Sequence, residues 1–351
     1  MKQILLNVVL LPMVGLFLTA DVEAAGNAIT GTCEVTSANN DGSGTLRDCL
    51  LGALQGDVIT FDTTVFPFAS PTTILLTTEL PALISGTVTI NACDAGVILD
   101  GDNAVDNGLT IQSDDNLILG LEIKRFSMYG IYIEGSDNRI GGGDDCGGIN
   151  HWNLVTGCDT GIAISGSGSG DNSIIANFVE GSRIGVRIDP QDPQVHFQRV
   201  RDNTIGGGFH SFPPNGNDIG ILVASGWDHR IVDNRIGYNG IGIRVEGDAT
   251  LHSVGDGSPN NCFISNTIGF SHAGTAIDLR IETNWWNAAN GPSGVGPGDG
   301  DSIEEVGTGT VDYEPWLTSP ECSACLPCGI FADGFESGEQ PRMAEQPLQC
   351  T

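Results

Sequence analysis

Positive charge is the scarcest feature of this chain: 14 Lys and Arg stand against 44 Asp and Glu among 351 residues, a formal net charge of -30. A field of that sign repels nucleic acid, acidic membranes and polyanionic glycans, so the expected partners are neutral, cationic or bridged by a cation. Long apolar runs are lacking as well. The first, Ile4 to Leu18, is interrupted by Asn7 and Pro12 and is short for a membrane span, and nothing after it is a better candidate. With Lys2 ahead of it and Val22-Glu23-Ala24 behind, it has the form of a signal peptide over residues 1–24. Helical periodicity is missing between the repeated apolar runs: no interval there offers the ten or more residues that a crossover helix needs, which disfavours leucine-rich repeats.

Glycine is what the chain has in abundance, 50 residues, and it punctuates a repeat. Gly220-Ile221-Leu222-Val223 returns as Gly242-Ile243-Arg244-Val245, and Gly130-Ile131-Tyr132-Ile133, Gly161-Ile162-Ala163-Ile164, Gly185-Val186-Arg187-Ile188 and Ala276-Ile277-Asp278-Leu279 match it. A second motif recurs between them: Asn138-Arg139-Ile140-Gly141, Asn203-Thr204-Ile205-Gly206, Asn234-Arg235-Ile236-Gly237 and Asn266-Thr267-Ile268-Gly269. Each apolar run is short, β-branched and alternating, and is bounded by Gly, Asn, Asp and Ser, residues that tolerate tight bends. Three such strands per turn, each stacked on its counterpart one turn below, make a parallel β-helix with a continuous Ile and Val core. The motif glycines at 130, 161, 185, 220 and 242 are spaced by 31, 24, 35 and 22 residues. A bare turn of about 22 to 24 residues with surface insertions accounts for that spread.

In chain order, residues 25–57 read as an N-terminal cap in which Thr45 to Leu54 has helical spacing and Cys33 with Cys49 can staple the end. Residues 58–283 read as the coil, 284–318 as a C-terminal cap segment opened by Asn284-Trp285-Trp286, and 319–351 as an acidic tail with Cys322, Cys325, Cys328 and Cys350. Ten cysteines, an even number in an exported chain, favour disulfides over zinc for that tail.

The stretch Thr45-Leu46-Arg47-Asp48-Cys49-Leu50 after Asn40-Asp41-Gly42-Ser43-Gly44, followed by Asp57-Val58-Ile59-Thr60-Phe61-Asp62, resembles the N-terminal segment of bacterial secreted β-helix proteins of the CSLREA-domain type. The Asn-x-Ile-Gly repeats and the closing segment from Asn284 through Gly298-Asp299-Gly300-Asp301 to Pro315-Trp316-Leu317 are similar to theirs, and Ile330 to Gly338 resembles a tail of exported proteobacterial proteins. The likeness implies a right-handed parallel β-helix of the pectate-lyase-like superfamily, all-β, with an N-terminal cap helix and a C-terminal cap. It implies little about activity, since that superfamily spans polysaccharide lyases, glycoside hydrolases and adhesins.

Three groups of residues are candidates for chemistry. On the outward positions of the Gly-Ile-x-Ile strands, Arg187 and Arg244 are candidate bases for β-elimination, each with an acid two positions on, Asp189 and Glu246, which holds it charged. If the last two copies are adjacent turns, Arg244 faces Asp278 and Glu246 faces Arg280 in a complementary ladder. Loops leaving these strands carry Asp192, His196 and Phe197 after one, and Trp227, Asp228 and His229 after the next. Aromatic faces beside carboxylates and imidazoles suit sugar stacking with hydroxyl hydrogen bonds. Asp299-Gly300-Asp301-Ser302 with Glu304 and Glu305 has the composition of a calcium loop without the spacing of a hand motif, and Asp299 and Asp301 are its candidate metal ligands. The four motif asparagines are expected to stack at one bend with a structural role.

These readings converge on a secreted or outer-surface protein that binds a glycan or a surface partner without catalysis, with no nucleic-acid partner and no membrane span. A polysaccharide lyase or glycoside hydrolase working on the helix flank is the alternative, and a scaffold that binds another protein the third reading. Calcium is the one cofactor the sequence suggests.

Overall fold

A computed structural model of the chain describes residues 31–142, 152–166, 168–190, 197–207, 215–254, 261–276 and 279–320. The signal segment, the cysteine-rich tail, Asp192, His196, Asp278 and the loop at Phe209 to Pro214 lie outside the described residues. The fold is a right-handed parallel β-helix. One turn is made of Arg199–Arg201, Thr204–Gly206 and Ile219–Val223, and the next of His229–Val232, Arg235–Gly237 and Ile241–Val245. Stacking the turns produces three sheets of nine, eight and nine strands, and every pairing between their strands is parallel.

Alternation fixes what each strand buries. Along the third sheet Ile131, Ile162, Val186, Ile221, Ile243 and Phe270 occupy one inward column, each fully buried. Burying an aliphatic side chain of this size is favourable by about 1.5–3 kcal/mol, and the column repeats that gain at each turn without a wider core. The motif glycine has a steric cause. A Cβ on Gly130, Gly161, Gly185, Gly220 or Gly242 would stand 2.5–2.7 Å from the carbonyl oxygen of the glycine one turn on. The bend that swings the backbone from one sheet to the next brings successive turns too close for any side chain there.

Asparagine holds the bends, at all three corners rather than one. Asn116, Asn138, Asn172, Gln198 and His229 form the first ladder, each accepting a hydrogen bond from the backbone N–H of its predecessor. Asn153, Asn177, Asn203, Asn234, Asn261 and Asn284 form the second. Ser182, Asn217, Asn239, Asn266 and Asp301 form the third. The expectation of a single stack is therefore corrected: Asn138 belongs to the first ladder, Asn203 and Asn234 to the second, Asn266 to the third. Their structural role stands, because each side chain satisfies a buried backbone donor that no strand can reach.

The N-terminal end is covered as the sequence indicates. Helix Leu46–Gly52 is capped by Thr45, whose Oγ1 accepts from the Asp48 N–H at 3.2 Å, and it turns Leu46, Cys49 and Leu50 onto the open core. The Cys33–Cys49 disulfide ties it to strand Thr32–Val35, which pairs with Val58–Phe61. At the other end Trp286 is fully buried and stacks on Phe263, ring centres 4.4 Å apart.

One turn was mismatched by the motif. The strand that follows Ile241–Val245 in the third sheet is Ile268–His272, so Arg244 faces Ser271, not Asp278. Leu279–Arg280 leaves that sheet and pairs with Val311–Asp312. The ladder of Arg244 with Asp278 and Glu246 with Arg280 is not formed.

Candidate functional site on the helix flank

The bend before the first ladder holds Phe197, Trp227, Asp228 and His229, the described members of the loop candidates. The residue ahead of each ladder position adopts a left-handed backbone: Asp115, Asp137, Asp171, Phe197 and Asp228, with φ of 54 to 65°. Aspartate tolerates this conformation because its short carboxylate bonds locally, whereas a bulky ring does not gain that help. Phe197 is thus the departure in its column, and it is 38% exposed. Trp227, one turn on at the same corner, is 42% exposed. Two aromatic faces are presented to solvent on consecutive turns.

His229 is not a surface ligand. It is fully buried and terminates the first ladder: Nδ1 accepts from the Gln198 N–H at 3.4 Å and Nε2 lies 3.0 Å from the Ser225 carbonyl. Those contacts select the tautomer protonated on Nε2, which donates to that carbonyl. Asp228 is half-buried and its N–H donates to Thr250 Oγ1.

On the third sheet, Arg187 is paired with Asp189 and Arg244 with Glu246, the latter at 2.6 Å. Each guanidinium is thus engaged by the acid two positions along its own strand. Asp299 and Asp301 do not converge. Asp299 is exposed and accepts from Asn290 Nδ2 at 2.9 Å, while Asp301 is buried and ends the third ladder. Among the described residues no three or more His, Cys, Asp and Glu side chains group to hold a metal ion.

Two features of this flank escaped the sequence reading. The first is a carboxyl pair on consecutive turns of the bend between first and second sheets, Asp202 and Asp233, both left-handed. Asp233 is buried, its Oδ1 has no hydrogen-bond partner, and burial reinforced by the Asp202 charge pushes its pKa up to about 6. Partial desolvation also raises Asp202, whose side chain stays exposed, against the pull of Arg201, which pairs with it at 3.1 Å. The second is a column of arginines on the outer face of the first sheet. Arg139, Ser173, Arg199 and Arg230 stand in register, with Ile140, Ile174, Val200 and Ile231 buried beneath. Alternation around Val200 and Ile231 points these arginines outward, but only the pairing of strands 31 residues apart shows that they are neighbours.

Comparison with known proteins bears on the whole coil. Residues 71–295 match the family described as Periplasmic copper-binding protein (NosD). Among solved structures, that of pectate lyase Pel9A is similar, with 14% identity over 84% of this chain and 80% of that chain, at a TM-score of 0.36. No curated protein matches. The family match spans well over half of the sequence, and the chain belongs to the NosD family.

Proposed function

We propose that this member of the NosD family is an exported polysaccharide-binding protein that holds its ligand along the flank of the helix without cleaving it. The observation that carries the reading is the pair of exposed rings, Phe197 and Trp227, on consecutive turns of one bend, the first in a backbone conformation that costs a bulky residue energy. Strain kept at an exposed aromatic points to use, and flat rings on a rigid scaffold stack on sugar faces at little cost in conformational freedom. Carboxylates of Asp137 and Asp171 in the same column are placed to accept hydroxyl protons. Export is supported by the family's periplasmic description and by the Cys33–Cys49 disulfide.

Copper, which the family's description names, needs thiolate, thioether or imidazole donors brought together. The described residues do not fit that requirement. Cys33, Cys49, Cys93 and Cys262 are in disulfides, the buried Cys158 thiol is pushed up to about 11 by desolvation, and His229 is committed to a ladder. Cys322, Cys325, Cys328 and Cys350 lie outside the described residues. Catalysis by elimination finds no support in Arg187 and Arg244, both ion-paired.

The test is incubation of the mature protein with neutral and acidic polysaccharides, with calcium and with chelator, followed by size-exclusion chromatography. Polymers of unchanged size that co-elute with the protein, and that a Phe197→Ala/Trp227→Ala variant releases, are the expected result. A fall in polymer size would overturn the non-catalytic reading in favour of a lyase or hydrolase. Elution apart would leave a protein-facing scaffold.

A further inference from the structure

The cations of this chain are few, and their distribution is uneven. Ion pairs among the described residues engage Lys124, Arg125, Arg183, Arg187, Arg201 and Arg244. Arg47, Arg139, Arg199, Arg230 and Arg280 enter none of these, and Arg139, Arg199 and Arg230 occupy one column of the first sheet, with Ser173 between the first two. Arg199 and Arg230 are exposed and directly opposite each other on adjacent strands. Like charges opposite each other one strand apart, ~4.8 Å, destabilise a sheet. In a chain with three acids for every base, acids are available to relieve that repulsion, yet among the described residues none pairs with either arginine. Arg139 adds a second sign of an absent partner, since its buried Nε makes no hydrogen bond.

We propose that this column is an anion-binding strip that takes the carboxylate or sulfate groups of an acidic polysaccharide. The proposal rests on the polysaccharide-binding reading above and names the class of polymer. An anionic group set between Arg199 and Arg230 turns repulsion into charge-assisted hydrogen bonds from both guanidinium groups. The strip runs parallel to the helix axis, as an extended chain laid along the flank requires, and one strand spacing is close to the advance of one sugar. The net charge of the protein does not forbid it. Charges beyond ~8–10 Å are largely screened, so the local arginines dominate at contact.

The edges of the strip select a glycan over other polyanions. Exposed Asp137 and Asp171 line the bend before these strands, and exposed Asp202 the bend after. A sugar chain offers hydroxyls to such carboxylates and acid groups to the arginines. A nucleic acid offers phosphates along its whole backbone and would meet repulsion on both edges. Phe197, two residues before Arg199, supplies a stacking face at the end of the strip.

Dextran, carboxymethyl dextran and dextran sulfate share one backbone and separate the charge from the sugar. Affinity electrophoresis or calorimetry with the whole mature protein is expected to show about tenfold or more preference for one or both charged polymers over dextran at about 0.1–0.15 M salt, lost at about 1 M. Arg199→Gln/Arg230→Gln should abolish that preference while leaving the melting temperature unchanged or slightly higher, whereas Arg183→Gln, paired with Asp159 elsewhere, should not. The two charged polymers tell carboxylate from sulfate. Equal binding of all three dextrans, or an undiminished preference in the double variant, overturns the strip and leaves polysaccharide binding standing. Binding of none of them, nor of any other polysaccharide, removes both readings. A DNA oligonucleotide bound as tightly as the charged dextrans would overturn the glycan in favour of indiscriminate polyanion capture.

Discussion

Asp301 Oδ2 accepts two hydrogen bonds from Asn266, one from its backbone N–H and one from its side-chain Nδ2, each at 2.8 Å. It closes the third ladder as an acid where the other described turns below it use amides or a hydroxyl. What Asn266 needs is an acceptor, not a charge. Asp301→Asn, which keeps a carbonyl oxygen there, is expected within about 1 kcal/mol of the parent, while Asp301→Ala leaves two buried donors unpaired and costs about 2–4 kcal/mol. Urea unfolding of the two variants checks this, and equal losses would show that the charge matters. Calcium dependence of the parent's midpoint that both variants lose would revive the metal role of Asp299 and Asp301.

Asp233 carries a pH dependence of defined sign. Its pKa is raised from the ordinary 3.8 to about 6, by burial first and the Asp202 charge second. Between those values the folded state binds the proton and the unfolded state does not, so stability falls as pH climbs through that window. The expected loss is of order 1–3 kcal/mol. Measured from about pH 4 to pH 6.5, the stability of the parent relative to Asp233→Asn should decline as pH rises, since groups common to both chains cancel in the difference. A difference that does not change with pH would overturn the assignment to Asp233.

Gly220 tests the close approach of the turns. A Cβ there would lie 2.6 Å from the Gly242 carbonyl oxygen and 3.1 Å from Asn239 Nδ2, so the backbone of two turns must move. Gly220→Ala is expected to cost about 2 kcal/mol or more. Gly52, in the cap helix with open space around its would-be Cβ, is the control, and Gly52→Ala should be neutral or stabilising by about 0.5–1 kcal/mol. Similar losses at both sites would remove the steric account of the motif.

The coil was legible because the Gly-Ile-x-Ile strands carry their cause in the local sequence: an inward aliphatic pair and a glycine that must lack a side chain. All five glycine-led copies lie in register in the third sheet. The Asn-x-Ile-Gly motif was less informative because each of the three bends needs the same amide, so the motif marks a corner without saying which. That is why Asn266 opens a third-sheet strand although Asn203 and Asn234 open second-sheet ones. One misplaced corner shifted Arg244 from its true neighbour Ser271 to Asp278. His229 and Asp301 were read as ligands because their partners, Gln198 and Asn266, lie a full turn away in sequence. The arginine column stayed hidden for the same reason: pairing Arg199 with Arg230 depends on the length of the intervening insertion, which no local pattern encodes.

His272 ends an inward column that reads Ile133, Ile164, Ile188, Val223 and Val245 before it, and Glu305 follows on the next strand. The ring is fully buried, and neither nitrogen meets a partner of good hydrogen-bond geometry, the Gly309 backbone offering only a marginal contact. A neutral imidazole there forgoes both a donor and an acceptor, and a charged one would cost more. Burial lowers its pKa from 6.5, against the opposing pulls of the Glu305 charge and the Gly309 backbone. Below 6.5 the unfolded chain takes up a proton that the folded chain refuses, so stability is present in full above that pH and is lost as pH falls toward the depressed folded value. Replacing the ring by the residue the column uses elsewhere removes both penalties. His272→Val should raise stability by about 1–2 kcal/mol at neutral pH and abolish the part of the acid-side loss that begins near 6.5. Midpoints at pH 7.5 and pH 5.5, about a unit either side of the ordinary imidazole value, read both effects. A variant less stable than the parent at neutral pH would mean that the imidazole holds a partner there, and would turn the end of this column from a packing defect into a site.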